Sequence, residues 1–229
     1  MGCLSTRRGG GCSTGPYASW NLGDHVGDAP TAVASNREHL RTRLPEDPVW
    51  LRQVHGTVVV DADALPNGIP EADAAVARRP GRVCAVLTAD CLPVLLCDRE
   101  GKVVGAAHAG WRGLLMGILE LTVDAMAVPG QNLMAWLGPA IGPAAFEVGG
   151  EVRSAFIAED PGATTGFAPG AAPGKWWADL PWLARRRLAR CGVVTVFGGN
   201  RCTYSEAADF FSYRRDGVTG RMASLIWRN

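Results

Sequence analysis

Three residues carry side chains that a borderline-soft metal would select: His55 in Leu51-Arg52-Gln53-Val54-His55-Gly56, Cys91 in Leu87-Thr88-Ala89-Asp90-Cys91, and His108 in Ala106-Ala107-His108-Ala109-Gly110-Trp111. Two imidazoles and one thiolate suit zinc, and they leave one coordination position for water or substrate, the pattern of a catalytic zinc. The chain has only four histidines, and these two stand where a strand meets a loop. Asp90 is an acid in an apolar neighbourhood beside Cys91, placed to orient a ligand or to carry a proton. A fourth thiolate from Cys84 or Cys97 would close the site and make it a staple, although closed sites usually draw on tight cysteine pairs and this chain has no CxxC.

Elements must deliver these residues to one place. Glycine and proline, with 29 and 15 copies, cut the chain into short segments, which points to a sheet-rich mixed fold. Apolar runs predict strands over Val49–His55, Thr57–Val60, Val83–Leu87, Val94–Asp98, Val103–Ala107, Leu133–Leu137 and Val193–Phe197, with Cys3–Thr6 an edge strand. Helical spacing of Leu114, Ile118, Leu121 and Ala125 predicts a helix over Gly113–Ala127, and further helices are expected over Pro181–Cys191 and Pro30–Leu44. The helix after Trp111 would place His108 beside an N-terminus. Arg185-Arg186-Arg187 with Arg190 reads as a solvated helix face rather than a nucleic-acid patch, and His39 as a surface histidine. Asp160 to Lys175 reads as a long loop, a lid or a rim.

Composition bounds the function. A chain of 229 residues that is 47% hydrophobic can bury one large core, and no low-complexity linker divides it, so residues 1–229 are expected to form a single domain. A net charge of +1 exerts no global pull toward nucleic acid or an anionic membrane, which favours a small-molecule partner. The richest apolar run, Val83 to Cys97, is interrupted by Thr88, Asp90 and Pro93 and cannot span a membrane. No signal-peptide core is present, and an odd set of seven cysteines reads as reduced thiols in a cytoplasm. Met1-Gly2-Cys3-Leu4-Ser5-Thr6 fits a myristoylation pattern, but an edge strand entering Gly9-Gly10-Gly11 is the favoured reading.

Many short motifs fall in one order: Ser19-Trp20-Asn21-Leu22-Gly23, His25-Val26-Gly27-Asp28, Asn36-Arg37, Gln53-Val54-His55-Gly56, Ala72-Asp73-Ala74, Thr88 to Val94, His108 to Gly113, Gly138 to Pro143, Phe146 to Gly149, Phe211 to Asp216 and Thr219-Gly220-Arg221. From Ser5 to Trp227 they closely resemble the bacterial YfiH-type family, also called laccase-domain proteins, polyphenol oxidases or peptidoglycan editing factors. The resemblance implies an α+β fold, mixed β-sheets covered by helices in α/β/β/α layers. It implies a zinc-dependent purine nucleoside phosphorylase acting on adenosine, inosine, guanosine and methylthioadenosine, with adenosine deaminase activity in the same pocket. The family's metal ligands fall on His55, Cys91 and His108. Asn21 is a candidate for binding purine or ribose, Arg37 and Arg112 for phosphate, and Asp90 for protonating the leaving base. Trp20 replaces a smaller apolar residue and is expected to narrow the base pocket.

Purine nucleoside and phosphate are thus the expected partners, with no nucleic acid or membrane, for a cytoplasmic monomer or weak dimer. Copper is the alternative metal, and it would outcompete zinc at a His/Cys site on intrinsic affinity. A conventional multicopper oxidase, however, needs more than four histidines. Two other readings are a cell-wall precursor editing amidase with Cys91 as nucleophile, and a non-catalytic zinc-stabilised binding module.

Overall fold

Val83–Thr88 is buried at every position, so this strand needs a packing layer on each of its faces. The computed structural model, which describes residues 1–64 and 68–229, supplies both layers. Its elements, in chain order, are β1 (Gly2–Ser5), α1 (Pro30–Arg41), β2 (Pro48–Val49), β3 (Val59–Asp61), β4 (Ala74–Ala77), β5 (Val83–Thr88), β6 (Leu92–Asp98), β7 (Val104–Ala109), α2 (Trp111–Met116), α3 (Ile118–Met126), β8 (Leu133–Leu137), β9 (Glu147–Gly149), α4 (Gly150–Glu159), β10 (Phe167–Pro169), β11 (Lys175–Ala178), α5 (Leu180–Arg190), β12 (Thr195–Gly198), α6 (Tyr213–Asp216) and β13 (Met222–Trp227).

One sheet has the order β1-β13-β5-β2 and a second the order β12-β8-β6-β7-β4-β3, both mixing parallel and antiparallel pairs. Alternation along the strands sorts their side chains into layers. In β5, Val83, Ala85 and Leu87 pack with Leu40 of α1, whereas Cys84 and Val86 meet Leu95, Val104 and Ala106 of the second sheet. Leu92, Val94 and Leu96 on the other face of β6 pack with Leu114, Ile118 and Leu119, and with Val152, Phe156, Leu183 and Leu188 of α4 and α5. The result is the expected α+β fold in α/β/β/α layers.

Several expected elements change at their ends. The helix expected over Gly113–Ala127 starts at Trp111 and splits in two at Gly117, whose φ of 97° no helical residue adopts. Pro30–Leu44 stops at Arg41, and Val49–His55 keeps only the short β2, with Arg52 bridging Glu71 and His55 at φ 62° ending the extended run. Asp160–Lys175 is not a long loop. A 3-10 turn over Pro161–Gly166 leads into β10, which pairs with β11, and β11 pairs in turn with β9, in a small antiparallel sheet whose Phe167 enters the core. The α5 arginines form a solvated face only in part, with Arg190 exposed. Arg187 is buried against Glu120 at 2.8 Å, Arg185 donates to the carbonyls of Val196 and Gly198, and Arg186 pairs with Asp160. Among the described residues no helix is long and apolar enough to cross a membrane.

Candidate metal centre and cleft

The three candidate ligands come from neighbouring chain turns: β5 ends at Thr88, β6 begins at Leu92 and β7 passes at Ala109 into α2. His108 is the penultimate residue of β7 and shares the parity of Val104 and Ala106, so its ring points into the space between the sheets. Cys91 fills the turn between β5 and β6, and His55 comes from the segment after β2. The donor atoms of His55, Cys91 and His108 all lie within 4.8 Å of one another. Cys91 Sγ is 3.7 Å from His55 Nε2, and the two imidazoles meet edge to face at 4.8 Å between centroids. Gly110 makes this convergence possible. A Cβ there would stand 2.8 Å from His55 Cδ2 and 3.1 Å from Cys91 Sγ.

Two residues of the site are held in the left-handed region, His55 at φ 62° and Asp90 at φ 95°, at a cost of about 1–3 kcal/mol each. Asp73, wholly buried at the start of β4, offsets the first. Its carboxylate accepts from the backbone N–H groups of Val54 at 3.2 Å, His55 at 3.0 Å and Gly56 at 2.7 Å, and from His108 Nδ1 at 2.8 Å. One carboxylate therefore fixes the loop that presents His55 and the tautomer of His108, leaving Nε2 to face the centre. Asp90 is fixed by Thr203 Oγ1 and the Arg214 N–H, each donating at 2.6 Å, while its own carbonyl accepts from the Ile141 N–H at 2.9 Å.

The electrostatics suit a metal. Burial alone would raise the Cys91 thiol, but His108 and then His55 outweigh it and bring Cys91 down to about 6. Burial likewise disfavours charged His108, yet the thiolate and Asp73 raise it to about 9. Asp73 itself is lowered, because His108 and the three N–H groups overcome the burial that pushes it up. A soft thiolate, an oriented imidazole and a second imidazole, spaced by a missing Cβ, form a donor set fit for zinc or copper. Cys84 and Cys97 do not close the set. Burial drives the Cys84 thiol up among Asp63, Arg82 and Asp61, and Cys97 sits beside Asp98 and Cys3, so neither belongs to the cluster.

Above the three donors opens a cleft of about 460 Å³ whose walls include Gln53, Asp90, Phe146, Tyr213, Arg214 and Arg221. That volume is in the range of small-molecule sites. The other sequence candidates lie elsewhere. Asn21 is fully buried and spends its amide on Gly23, Asp28 and the Arg221 N–H, so it does not face the cleft. Trp20 packs against α1 with its Nε1 donating to the Asn36 carbonyl, away from any base pocket. Arg37 stacks on Trp50 at 4.4 Å and pairs with Asp24 in an adjoining hollow. Arg112 is exposed on α2 over Trp111 and is absent from the cleft lining.

Sequence reading assigned no role to Asp73, Arg214, Arg221 or Tyr213. For Asp73 a signal existed: an aspartate between alanines in a run with no exposed face has to find buried partners. The arginines are displaced from the triad by more than a hundred residues of chain, and only folding brings them to it.

A family model described as multi-copper polyphenol oxidoreductase laccase matches residues 2–229. A purine nucleoside phosphorylase of Pseudomonas aeruginosa is 56% identical over 225 residues, covering 98% of this chain and 92% of the relative. The purine nucleoside phosphorylase YfiH of Escherichia coli is 56% identical over 227 residues with the same coverage. Among solved structures, a Neisseria meningitidis protein superposes with a TM-score of 0.95 at 55% identity, covering 99% of this chain and 93% of its own. By sequence, by fold and by these neighbours, the chain belongs to the YfiH-type, laccase-domain family.

Proposed function

We propose that this chain is a zinc-dependent purine nucleoside phosphorylase, in which inorganic phosphate displaces the base from a purine nucleoside to give the free purine and ribose 1-phosphate. The observation that carries this reading is the convergence of His55, Cys91 and His108 at the floor of a nucleoside-sized cleft. The family relatives named above carry that activity in their names. When bound, the metal supplies concentrated positive charge for polarising an oxygen of substrate.

The remaining work belongs to side chains. Phe146 and Tyr213 offer ring faces to the purine, and Arg214, stacked 5.3 Å over Phe146, extends that platform. Asp90 holds a carboxylate at the cleft wall for proton exchange with the leaving base, where the N–H of Arg214 and the hydroxyl of Thr203 fix its direction. The same cleft is proposed to deaminate adenosine, with water entering and ammonia leaving at the purine carbon. The activity is assigned to the cytoplasm, and to a monomer or weak dimer formed by one domain.

The experiment is incubation of adenosine and of inosine with and without phosphate. Purine and ribose 1-phosphate are expected only with phosphate, and inosine from adenosine in either case. No turnover of either nucleoside would contradict the reading.

Two other chemistries meet this site. Copper bound to the same donors would accord with the family's oxidase description, but among the described residues there is one cluster of three or more ligand side chains, and a multicopper oxidase needs several. Cys91, His108 and Asp73 are also arranged as a nucleophile, a base and its orienter, which is the observation that favours an amidase. Activity that survives metal removal and is lost on alkylation of Cys91 would support that alternative.

A further inference from the structure

The phosphorolytic reading requires an oxyanion site, and Arg37 and Arg112, the two candidates for it in the sequence, do not face the cleft. Arg221 does. It is half-buried, and no carboxylate among the described residues lies within 4.0 Å of its guanidinium. Its Nη1 donates to the carbonyls of Thr219 at 3.0 Å and Gly220 at 3.1 Å, which accounts for two of its five N–H groups. Nε and Nη2 have no acceptor among the described residues, and neither is sealed from solvent. Tyr213, another wall residue, sits beneath the guanidinium with its ring centre 6.0 Å away.

The structure is built to hold Arg221 there. Asn21 Oδ1 accepts from the Arg221 N–H at 2.8 Å, and the Leu22 N–H donates to the Arg221 carbonyl at 3.1 Å. Gly23 leaves room for its stem: a Cβ at Gly23 would stand 2.7 Å from Arg221 Cγ. The Asn21-Leu22-Gly23 motif therefore acts on the cleft through Arg221 rather than by touching substrate. Burial lowers Arg221 while Asp90 and Cys91 act in the opposite direction, and its guanidinium, hydrogen-bonded only to carbonyls through Nη1, keeps a free N–H edge from which an oxyanion can accept.

We propose that Arg221 forms the oxyanion subsite of the cleft and takes inorganic phosphate through Nε and Nη2 as a two-pronged contact. This deepens the phosphorylase reading and rests on it for the identity of the anion. Fork-to-oxyanion pairing is the strong, directional use of arginine, and a lysine reproduces its charge without its geometry.

The test is the KM for phosphate at saturating inosine, and the KM for inosine at saturating phosphate, in the wild type, Arg221→Gln and Arg221→Lys. Arg221→Gln is expected to raise the phosphate KM about tenfold or more with the inosine KM within about twofold, and Arg221→Lys to recover part of the loss. Bound metal and melting temperature should match the wild type. An unchanged phosphate KM in a folded, metal-loaded Arg221→Gln protein would overturn the proposal, as would an equal rise in both constants. Calorimetric titration with phosphate alone separates the subsite from the activity. If the wild type makes no ribose 1-phosphate, the phosphorylase reading fails, while phosphate binding that Arg221→Gln abolishes still supports the subsite. Binding that is absent in the wild type, or equal in both proteins, overturns it.

Discussion

Asp73 serves both histidines at once, and its substitution should separate geometry from chemistry. Asparagine keeps the size and one acceptor oxygen, so Asp73→Asn is expected to fold and to bind zinc about 10–100-fold more weakly, measured by competition with a chromophoric chelator. Asp73→Ala leaves three N–H groups and His108 Nδ1 without their acceptor, and should lose on the order of 3 kcal/mol of stability in urea melts. Wild-type zinc affinity in Asp73→Asn would remove Asp73 from its positioning role. At the same scale, the thiol of Cys91 is lowered from its ordinary 9.0 to about 6. A depressed acid is ionised above its folded value, so alkylation of Cys91 in metal-free protein should level off by about pH 7 and fall away as pH drops through 6, as read by mass spectrometry. A reaction rate that is still climbing through 9 would contradict the assigned environment.

The junction of β7 and α2 sets the element scale. Gly110 has φ −65°, which alanine adopts without strain, so Gly110→Ala should fold normally and act only through the Cβ that meets His55 and Cys91. A loss of metal affinity of about tenfold with an unchanged melting temperature is expected. A drop in stability without a loss of metal would place the role of this glycine in packing. Elements of this kind were legible where pattern and position coincide. β5, β6 and β7 are apolar runs bounded by turn residues, and they carry two of the three ligands at or beside their ends. β4 was not legible because Ala-Ala-Val-Ala has little strand preference, and it forms only because β3 and β7 flank it. α4 offers only Val152 and Phe156 to the core, one turn apart, too thin a stripe to stand out. The Asp160–Lys175 stretch reads as a loop because its glycines and prolines dominate local propensity, yet pairing of β10 with β11 overrides them.

Four layers around two sheets place the centre at an edge of a large core rather than at its heart. Leu22, Leu40, Leu92, Ile118 and Phe211 are among the side chains buried without the centre's help, so metal removal should inactivate the protein without unfolding it. At a metal concentration about a hundredfold above Kd the ion adds about 2.7 kcal/mol, which for a chain of this size corresponds to a melting temperature about 5–10 °C higher than in chelator. Far-ultraviolet dichroism should not change. Collapse of the dichroism on chelation would instead favour a zinc-stabilised binding module. The layered fold and the convergence of the three candidate ligands were thus both accessible from sequence, the first through the family's motifs. The cleft wall was accessible only in part: Gln53 and Asp90 flank the triad in the chain, whereas Phe146, Tyr213, Arg214 and Arg221 lie far from it and are brought to it by folding.

The central claim is that the His55–Cys91–His108 centre carries out phosphorolysis. The measurement that meets it most directly is the rate of ribose 1-phosphate release from inosine and phosphate, as metal-free protein is titrated with zinc. The rate should rise in proportion to added zinc and level off at about one ion per chain in the wild type, with no rise in His55→Ala. Full activity in the metal-free protein, or an undiminished response in His55→Ala, would contradict it.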